Sequence, residues 1–503
     1  MIQNLIVGLH TYCHDGNISV YDTKTCDFKY LKFERISGIK GQSHDNLTSW
    51  VDYLNYLGYD VGDVTNLFVV DGAGFARTSY FPYKHILVDF LDHHTCHHWS
   101  TLNYNSLIVD GVGSSFDCLS VFKKHHPKLK LNAYRHSGLG RDLDELWSTW
   151  FLTEEEGKKH HSNYLRFGEN HTYAGHTMAL HAFGQDYSQY IIPPKYKLGF
   201  VKNEPRYIPN TWENFEHFKN KLSFKEDLLI KNSFVTSLHY YWYKKIKNHL
   251  KNIFKKNDCF SISGGVGHNI ILNTMLKKDF PNLIATPHCG DEGLSIGALI
   301  FGMSFENRFR LKYSLENITQ HDENFGYASI NTIKQVAKFL QEGKIIMWGQ
   351  GWGEIGPRAL GFRSILMDPC VPDAKQKIND RIKKRIWFRP YGASVPADSY
   401  QKYFDIDFES PWMLYQSMVK DTEKFKNITH ADGTCRIQTV GNNNPTYLKL
   451  LKEFEKLSGY PVVINTSMNL PGKPIVGTKK QAKIMFENSQ ADILVIGDDI
   501  YTK

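Results

Sequence analysis

Short apolar runs broken by polar turns dominate the N-terminal third of the chain. Leu5-Ile6-Val7-Gly8 leads into a polar turn at His14-Asp15-Gly16. Ile18-Ser19-Val20-Tyr21 and Tyr30-Leu31-Lys32-Phe33 follow. The same pattern returns downstream. Leu107-Ile108-Val109-Asp110-Gly111 leads into a turn at Gly113-Ser114-Ser115, then Leu119-Ser120-Val121-Phe122 and Leu129-Lys130-Leu131. Each set predicts three short strands in a meander with a polar first turn.

Residues 160–250 carry helical stretches and polar loops in no predicted order. Cys259 to Ser263 then reads as a strand entering Gly264-Gly265-Val266-Gly267, with a helix from His268 to Lys277. Leu283 to Thr286 is a further strand. It opens into Pro287-His288-Cys289-Gly290-Asp291-Glu292-Gly293 and a small-residue helix to about Met303. Residues 304–328 are polar and aperiodic and mark a domain boundary. Beyond it, Ile333, Val336, Ala337 and Leu340 recur at helical spacing, and Gly343 is a stop signal. Lys344–Trp348, Arg436–Val440, Pro461–Ile464 and Ile493–Ile496 read as strands of a C-terminal α/β unit. A meander duplicated in one chain, each copy followed by helices, suggests the actin/sugar-kinase/Hsp70 plan. In that plan two lobes hold a ligand in the cleft between them.

Composition narrows the class without naming a function. The 503 residues are 41% hydrophobic and 22% charged, which excludes a disordered chain. No apolar run approaches a membrane span, and Met1 to His10 lacks a secretory pattern, so a cytoplasmic protein without membrane attachment is expected. The net charge of +8 raises nucleic acid as a partner, although a mildly basic surface is the plainer reading. The eight cysteines form no Cys-x-x-Cys pair, and they read as reduced and mostly buried.

Four constellations carry candidate chemistry. His93 and His97 stand at i, i+4, so on a helix they share a face and can hold one metal; taken alone the pair reads as a solvated or capping cluster. Further ligands must come from elsewhere, and Asp110 and Asp291 are candidates. Two histidines with two carboxylates suit iron, zinc or manganese. Gly264, Gly265 and Asn269, between a strand and a helix, suit a phosphate or ribose, or simply a tight turn. Arg358, Lys383, Arg385 and Arg389 form a cationic set suited to several phosphates. Pro357 and Gly361 beside Arg358 argue against a plain solvated face. Asn465-Thr466-Ser467-Met468-Asn469, placed just after a strand, offers hydroxyls and amides where open α/β sheets bind ligands.

Taken together, these stretches resemble the ATP-dependent O-carbamoyltransferases of the nodulation-factor, cephalosporin and aminoglycoside type. Three segments carry the likeness: Glu354 to Ile365, Lys383 to Tyr391, and Asp432 to Gln438. Asn465 to Asn469 with Gly472 to Val476 completes it. The resemblance implies an α/β chain in two parts. Residues 1–315 would be a duplicated, two-lobed actin/Hsp70-like domain for metal-containing carbamoyl transfer. Residues 328–503 would be a C-terminal domain, similar to the carbamoyl-adenylating domain of tRNA threonylcarbamoyl modification, forming carbamoyladenylate from carbamoyl phosphate and ATP.

The implied roles follow residue by residue. Arg358, Lys383, Arg385, Arg389 and Arg436 would neutralise phosphates with Mg²⁺, and Asn465, Ser467 and Thr478 would bind nucleotide or carbamoyl groups. A divalent metal, iron before zinc or manganese, would sit on His93, His97, Asp110 and Asp291. Gly264, Gly265 and Asn269 would seat adenosine. His14 would take the proton of the acceptor hydroxyl as a neutral base. Gly16-Asn17 after His14-Asp15, Tyr391-Gly392-Ala393-Ser394 and His98-Trp99 depart from the family pattern. The changes near His14 and Trp99 bear on the acceptor. A hydroxymethylated base in nucleic acid is set slightly ahead of a small sugar or antibiotic hydroxyl. A sugar kinase-like phosphotransferase and a decayed regulatory nucleotide binder are the other readings, and oligomeric assembly stays open.

Overall fold

The computed structural model describes residues 5–11, 14–42, 49–71, 83–101, 105–110, 119–122, 131–134, 174–192, 196–201, 204–209, 211–305 and 319–503. The second polar turn, Gly113-Ser114-Ser115, lies outside these residues, as does part of the expected domain boundary.

Both meanders form, and each is extended in the same way. Strands β1 (Leu5–His10), β2 (Asn17–Asp22) and β3 (Phe28–Lys32) pair antiparallel. Strands β4 (Val64–Asp71) and β5 (Leu87–Asp92) then add in parallel beside β1, giving the order β3-β2-β1-β4-β5. In the second sheet β6 (Asn105–Val109), β7 (Leu119–Phe122) and β8 (Leu131–Tyr134) form the meander. After a hairpin of β9 (Tyr196–Val201) and β10 (Glu204–Pro209), strands β11 (Phe260–Ser263) and β12 (Leu283–Ala285) run parallel to β6. The order β12-β11-β6-β7-β8 repeats the first sheet strand for strand. This is the duplicated, two-lobed actin/Hsp70-like plan. The first strand of each sheet is almost wholly buried, which explains its continuous apolar run in place of alternation.

The helix Leu294–Phe305 lies against both β1 and the helix His93–Trp99. Small residues make that approach feasible. A Cβ on Gly297 would meet Cys96 O at 1.8 Å, and one on Gly8 would meet Ser295 O at 2.1 Å. This close crossing carries the His93 helix to the turn that holds Asp291.

The C-terminal part is a nine-stranded mixed sheet. Its strands are β14 (Ile346–Gly349), β16 (Arg363–Met367), β17 (Gly392–Pro396), β18 (Phe404–Asp405), β19 (Tyr415–Val419), β20 (Thr434–Val440), β21 (Val463–Ser467), β22 (Ile493–Ile496) and β23 (Asp499–Thr502). They run in the order β18-β19-β20-β17-β21-β16-β14-β22-β23. The short strands β13 (Thr319–Gln320) and β15 (Gly353–Glu354) pair beside it. The amphipathic helix Ile330–Gln341 buries Ile333, Val336, Ala337 and Leu340, and Gly343 follows at φ +73°. One boundary differs from the sequence reading. Asn465, Thr466 and Ser467 belong to β21 itself, because β16 pairs along one edge as far as Ser467 and β17 pairs Asn465 on the other.

The two parts interlock. Arg35 Nη2 donates to Glu354 O and Gly356 O, each at 3.1 Å, and Asn273 Nδ2 donates to Leu414 O at 3.2 Å. Ala285 N donates to the Tyr415 hydroxyl at 3.0 Å. Among the described residues no helix is long and apolar enough to cross a membrane. Six cysteines fall among them, all unpaired, with Cys96, Cys289 and Cys435 buried.

Candidate functional site: a four-ligand cluster beside an arginine cavity

The first cluster is assembled from three points of the chain. Asp92 caps the helix His93–Trp99 by accepting from Thr95 N, which places His93 and His97 on one face. Asp110 ends β6, and Gly265 N donates to its Oδ1 at 3.1 Å. Asp291 opens the turn that follows β12. The ligand atoms of His93, His97, Asp110 and Asp291 all lie within 4.8 Å of one another. His93 Nε2 is 3.1 Å from Asp110 Oδ2, and His97 Nε2 is 3.5 Å from Asp291 Oδ1. Yet both Nε2 atoms are buried without a hydrogen bond. His97 Nδ1 sits 3.2 Å from Ser263 Oγ, a contact that leaves the Nε2 lone pair facing the cluster. Orphaned imidazole nitrogens facing two carboxylates are what a divalent cation fits. Burial alone would raise the carboxyls, but the facing histidines outweigh it and hold Asp110 and Asp291 below the usual range.

His14 joins this cluster in a way the sequence did not show. Its Nδ1 lies 2.7 Å from Asp15 Oδ2 and its Nε2 3.6 Å from Asp291 Oδ2. Asp15 is held in turn by Lys32 Nζ at 2.5 Å, and Lys32 also reaches Glu34 Oε1 at 3.0 Å. Burial disfavours the His14 cation, yet the charges of Asp291 and Asp15 prevail and push the group up to about 9. Positive charge on the ring is thereby favoured, whereas the base role expected of His14 calls for the neutral ring. His10 differs: burial brings it down to about 4, and its Nε2 donates to His14 O at 3.0 Å.

The glycine turn supports this cluster from below. Gly264 has φ +92°, and a Cβ there would meet Val109 O at 2.5 Å. Gly264→Ala should therefore cost about 1–3 kcal/mol from backbone strain alone, before the collision is counted. A thermal unfolding midpoint equal to that of the parent would contradict this. Asn269 is committed elsewhere. Its Oδ1 accepts from Ile271 N and Leu272 N, so the helix starts at Ile270, and its Nδ2 contacts His239 Nε2.

The second cluster is a cavity lined by Arg358, Arg385, Arg389 and Arg436, with Thr466 and Ser467 also in its lining. Asp432 is the carboxylate among the lining residues, and its Oδ1 already accepts from Thr434 N and Oγ1. Burial lowers Arg436 well below its ordinary range, and Arg358, Arg385 and Arg389 lower it further. Arg389 falls to about 9 for the same reasons, and its Nη1 lies 3.1 Å from His176 Nε2. Burial pushes His176 down to about 3, so its ring is the acceptor in that contact. Four guanidiniums forced together out of water define a site for an anion with several charges.

Lys383, Asn465 and Thr478 are not among the residues that line the cavity. Lys383 Nζ donates to Ser467 O (2.8 Å), Asn469 O (2.9 Å) and Asn469 Oδ1 (2.7 Å), which ties the end of β21 in place. Asn465 is fully buried in the sheet, and its Nδ2 donates to Ala359 O, Ser394 Oγ and Gln438 Oε1. It therefore positions the loop after Arg358. The Thr478 hydroxyl caps the helix Lys479–Glu487 in a capping box with Gln481. Arg358 Nη2 donates to His268 O at 3.1 Å, joining the cavity to the glycine turn. Asp15, Lys32, His10, His176 and Asp432 are not among the sequence candidates for the site, although Asp15 and Asp432 lie in stretches singled out there. Lys32, a cation within a predicted strand, was the one available signal.

Comparison with known proteins fits this geometry. Residues 337–503 match the model described as the carbamoyltransferase C-terminus. That match lies in the C-terminal part of the chain, which is similar to that family. Nodulation protein NolNO of Sinorhizobium fredii is 31% identical over 268 residues, covering 48% of this chain and 39% of that protein. The 3'-hydroxymethylcephem-O-carbamoyltransferase of Amycolatopsis lactamdurans is 30% identical over 252 residues, covering 48% of each. The chain thus spans half or less of either named relative's length. An uncharacterized protein of Methanocaldococcus jannaschii is 26% identical over 81% of this chain and 73% of its own length. Full-length HypF in its phosphate- and nucleotide-bound form has a TM-score of 0.36 at 12% identity, over 62% of this chain and 47% of that one. At such a score the fold assignment rests on the strand orders described above.

Proposed function

We propose that the chain is an O-carbamoyltransferase. In the arginine cavity water releases phosphate from carbamoyl phosphate, the resulting carbamate attacks the α-phosphorus of ATP to give carbamoyladenylate and pyrophosphate, and the carbamoyl group then passes to an acceptor hydroxyl beside His14. The observation that carries this reading is the convergence of Arg358, Arg385, Arg389 and Arg436 on one cavity within a carbamoyltransferase C-terminal domain. The two substrates bring several phosphates together, and four preorganised guanidiniums offset their repulsion. Mg²⁺ would share that charge. Ser467 and Thr466 offer hydroxyl contacts in the lining, and Lys383 keeps them in place.

In this reading the two parts of the chain, 1–315 and 328–503, divide the work. A divalent cation, iron before zinc or manganese, would be held by His93, His97, Asp110 and Asp291 and would supply Lewis acidity at the carbonyl or phosphate. Gly264 and Gly265 bring bare backbone to the site where adenosine would sit. His14 faces that space and orients the acceptor hydroxyl. With positive charge in the four-ligand cluster, the pull of Asp291 on His14 weakens and the ring can accept the proton.

The acceptor is named here by class, a hydroxyl. A nucleic-acid acceptor draws on the net charge of +8 and on the many aromatic residues. Four of the cations behind that excess face the cavity and Lys383 is buried beside it, so they are not displayed to a polyanion outside. Protein, Mg-ATP and carbamoyl phosphate should release pyrophosphate only when all three are present. Release that ignores carbamoyl phosphate, or a phosphorylated acceptor in its place, would sink the assignment.

A further inference from the structure

We infer that His430, with Asp432 beside it, activates the water that cleaves carbamoyl phosphate in the arginine cavity. The inference rests on the carbamate route proposed above, which needs a base that the four arginines do not supply. Guanidiniums hold anions and donate hydrogen bonds, but they have no lone pair to take a proton from water.

Three groups lining the cavity can accept a proton: His181, His430 and Asp432. Asp432 Oδ1 is already engaged by Thr434 N and Oγ1. Burial and His430 push His181 down to about 4, so its ring holds a proton poorly. Burial lowers His430 as well, but the charge of Asp432 opposes the fall. His430 is therefore neutral near neutral pH, and a carboxylate stands ready to stabilise the cation that forms.

The hydrogen bonds fix which nitrogen is the base. His430 Nε2 lies 3.0 Å from Phe388 O, and a carbonyl only accepts, so the ring proton sits on Nε2 and the lone pair on Nδ1. Nδ1 lies 3.9 Å from Asp432 Oδ1. That is too far for a direct hydrogen bond and leaves room for one bridging water. A water there donates one O–H to each atom and keeps its lone pairs for the substrate.

The chain holds this pair against the cavity. His430 N donates to Thr434 O at 2.8 Å and Gly433 N to His430 O at 2.9 Å, closing a tight turn in which Gly433 takes φ +80°. The turn leads into β20, whose Arg436 lines the same cavity. Phe388 lies between Arg385 and Arg389, so the carbonyl that sets the tautomer belongs to the segment that presents two of the guanidiniums. The Phe183 ring packs edge-on against the imidazole, with centroids 5.4 Å apart.

The step balances. The water oxygen attacks the carbonyl carbon of carbamoyl phosphate, because the charged phosphoryl group repels an oxygen nucleophile, and one water proton passes to Nδ1. The bond from that carbon to the phosphate oxygen breaks, and phosphate leaves with the electron pair toward the guanidiniums. His430 hands its proton to the departing phosphate. Carbamic acid loses its own proton to solvent, and the resulting carbamate is the species that attacks ATP.

The test compares the full parent chain with His430→Gln, whose amide can still donate to Phe388 O. Each is given Mg-ATP with either carbamoyl phosphate or freshly dissolved ammonium carbamate, which enters after the water step. With carbamoyl phosphate the variant should release phosphate and pyrophosphate roughly 10²- to 10⁴-fold more slowly than the parent. With carbamate its pyrophosphate release should persist, which also shows that the cavity is intact. In ¹⁸O-water the parent's inorganic phosphate should carry no label, since the new bond is to carbon. A parental rate in His430→Gln with carbamoyl phosphate, an equal loss with both substrates, or label in the phosphate each overturns the inference and leaves carbamoyladenylate formation standing. A parent that makes pyrophosphate from carbamoyl phosphate but not from carbamate overturns the carbamate route and the inference with it. A parent that makes pyrophosphate from neither overturns the proposed function as well.

Discussion

Replacing Arg358 with alanine should lower carbamoyl phosphate-dependent pyrophosphate release by about 10²- to 10³-fold, the range seen when one preorganised donor to developing charge is removed. Arg358 serves two functions. Its guanidinium faces the cavity, where burial and Arg385 lower its basicity while Cys289 and Glu292 support its charge. Its Nη2 also holds His268 O, so the substitution loosens the contact between the two parts of the chain. Arg358→Lys should recover part of the rate, because a point charge replaces the fork without its second contact. Pyrophosphate formation by Arg358→Ala at the parental rate would remove the cavity from the adenylation step.

The second large effect concerns the four-ligand cluster. Asp291→Asn should weaken divalent metal binding by at least about 10²-fold, because an amide replaces a charged ligand set against two imidazoles. Carbamoylated acceptor should fall with it, while pyrophosphate release, proposed for the other cluster, should persist. The substitution keeps the shape of the side chain, and the backbone contact from Asn17 Nδ2 to Asp291 O at 3.0 Å is untouched. Metal content of the purified protein, and a titration of the metal-stripped protein with Fe²⁺, Zn²⁺ and Mn²⁺ in turn, provide the check. Unchanged affinity for all three would show that the cluster is a network of ion pairs.

Much of the site was legible in short stretches of sequence, since local geometry is set by periodicity. His93 and His97 at i, i+4 had to share a helical face once a helix formed, and Asp92 supplies its cap. Asp110 and Asp291 could be nominated because each follows a strand and lies beside glycine. The cationic set could be nominated from its spacing around Pro357, Gly361 and Pro390. Roles within these groups were less legible, since a polar side chain near a site is often committed to backbone groups. Asn269 and Thr478 look like ligand contacts in sequence and are helix caps in the fold. Asn465 reads as a loop residue in sequence, yet it is fixed between β16 and β17.

By itself, then, the sequence determined the duplicated meanders, the helical His pair, the carbamoyltransferase-like motifs and the kind of charge the C-terminal part gathers. These depend on residue type and spacing over a few turns or strands. Only the tertiary structure decided that Asp110 and Asp291 close on the His pair, and that four arginines from three parts of the chain face one cavity. It alone decided that Asp15 and Asp291 flank His14, and that Cys289, His268 and Glu292 meet at the junction. Those outcomes depend on sheet order, on the close crossing at Gly297 and on burial. Burial strengthens charge interactions between groups far apart in the chain.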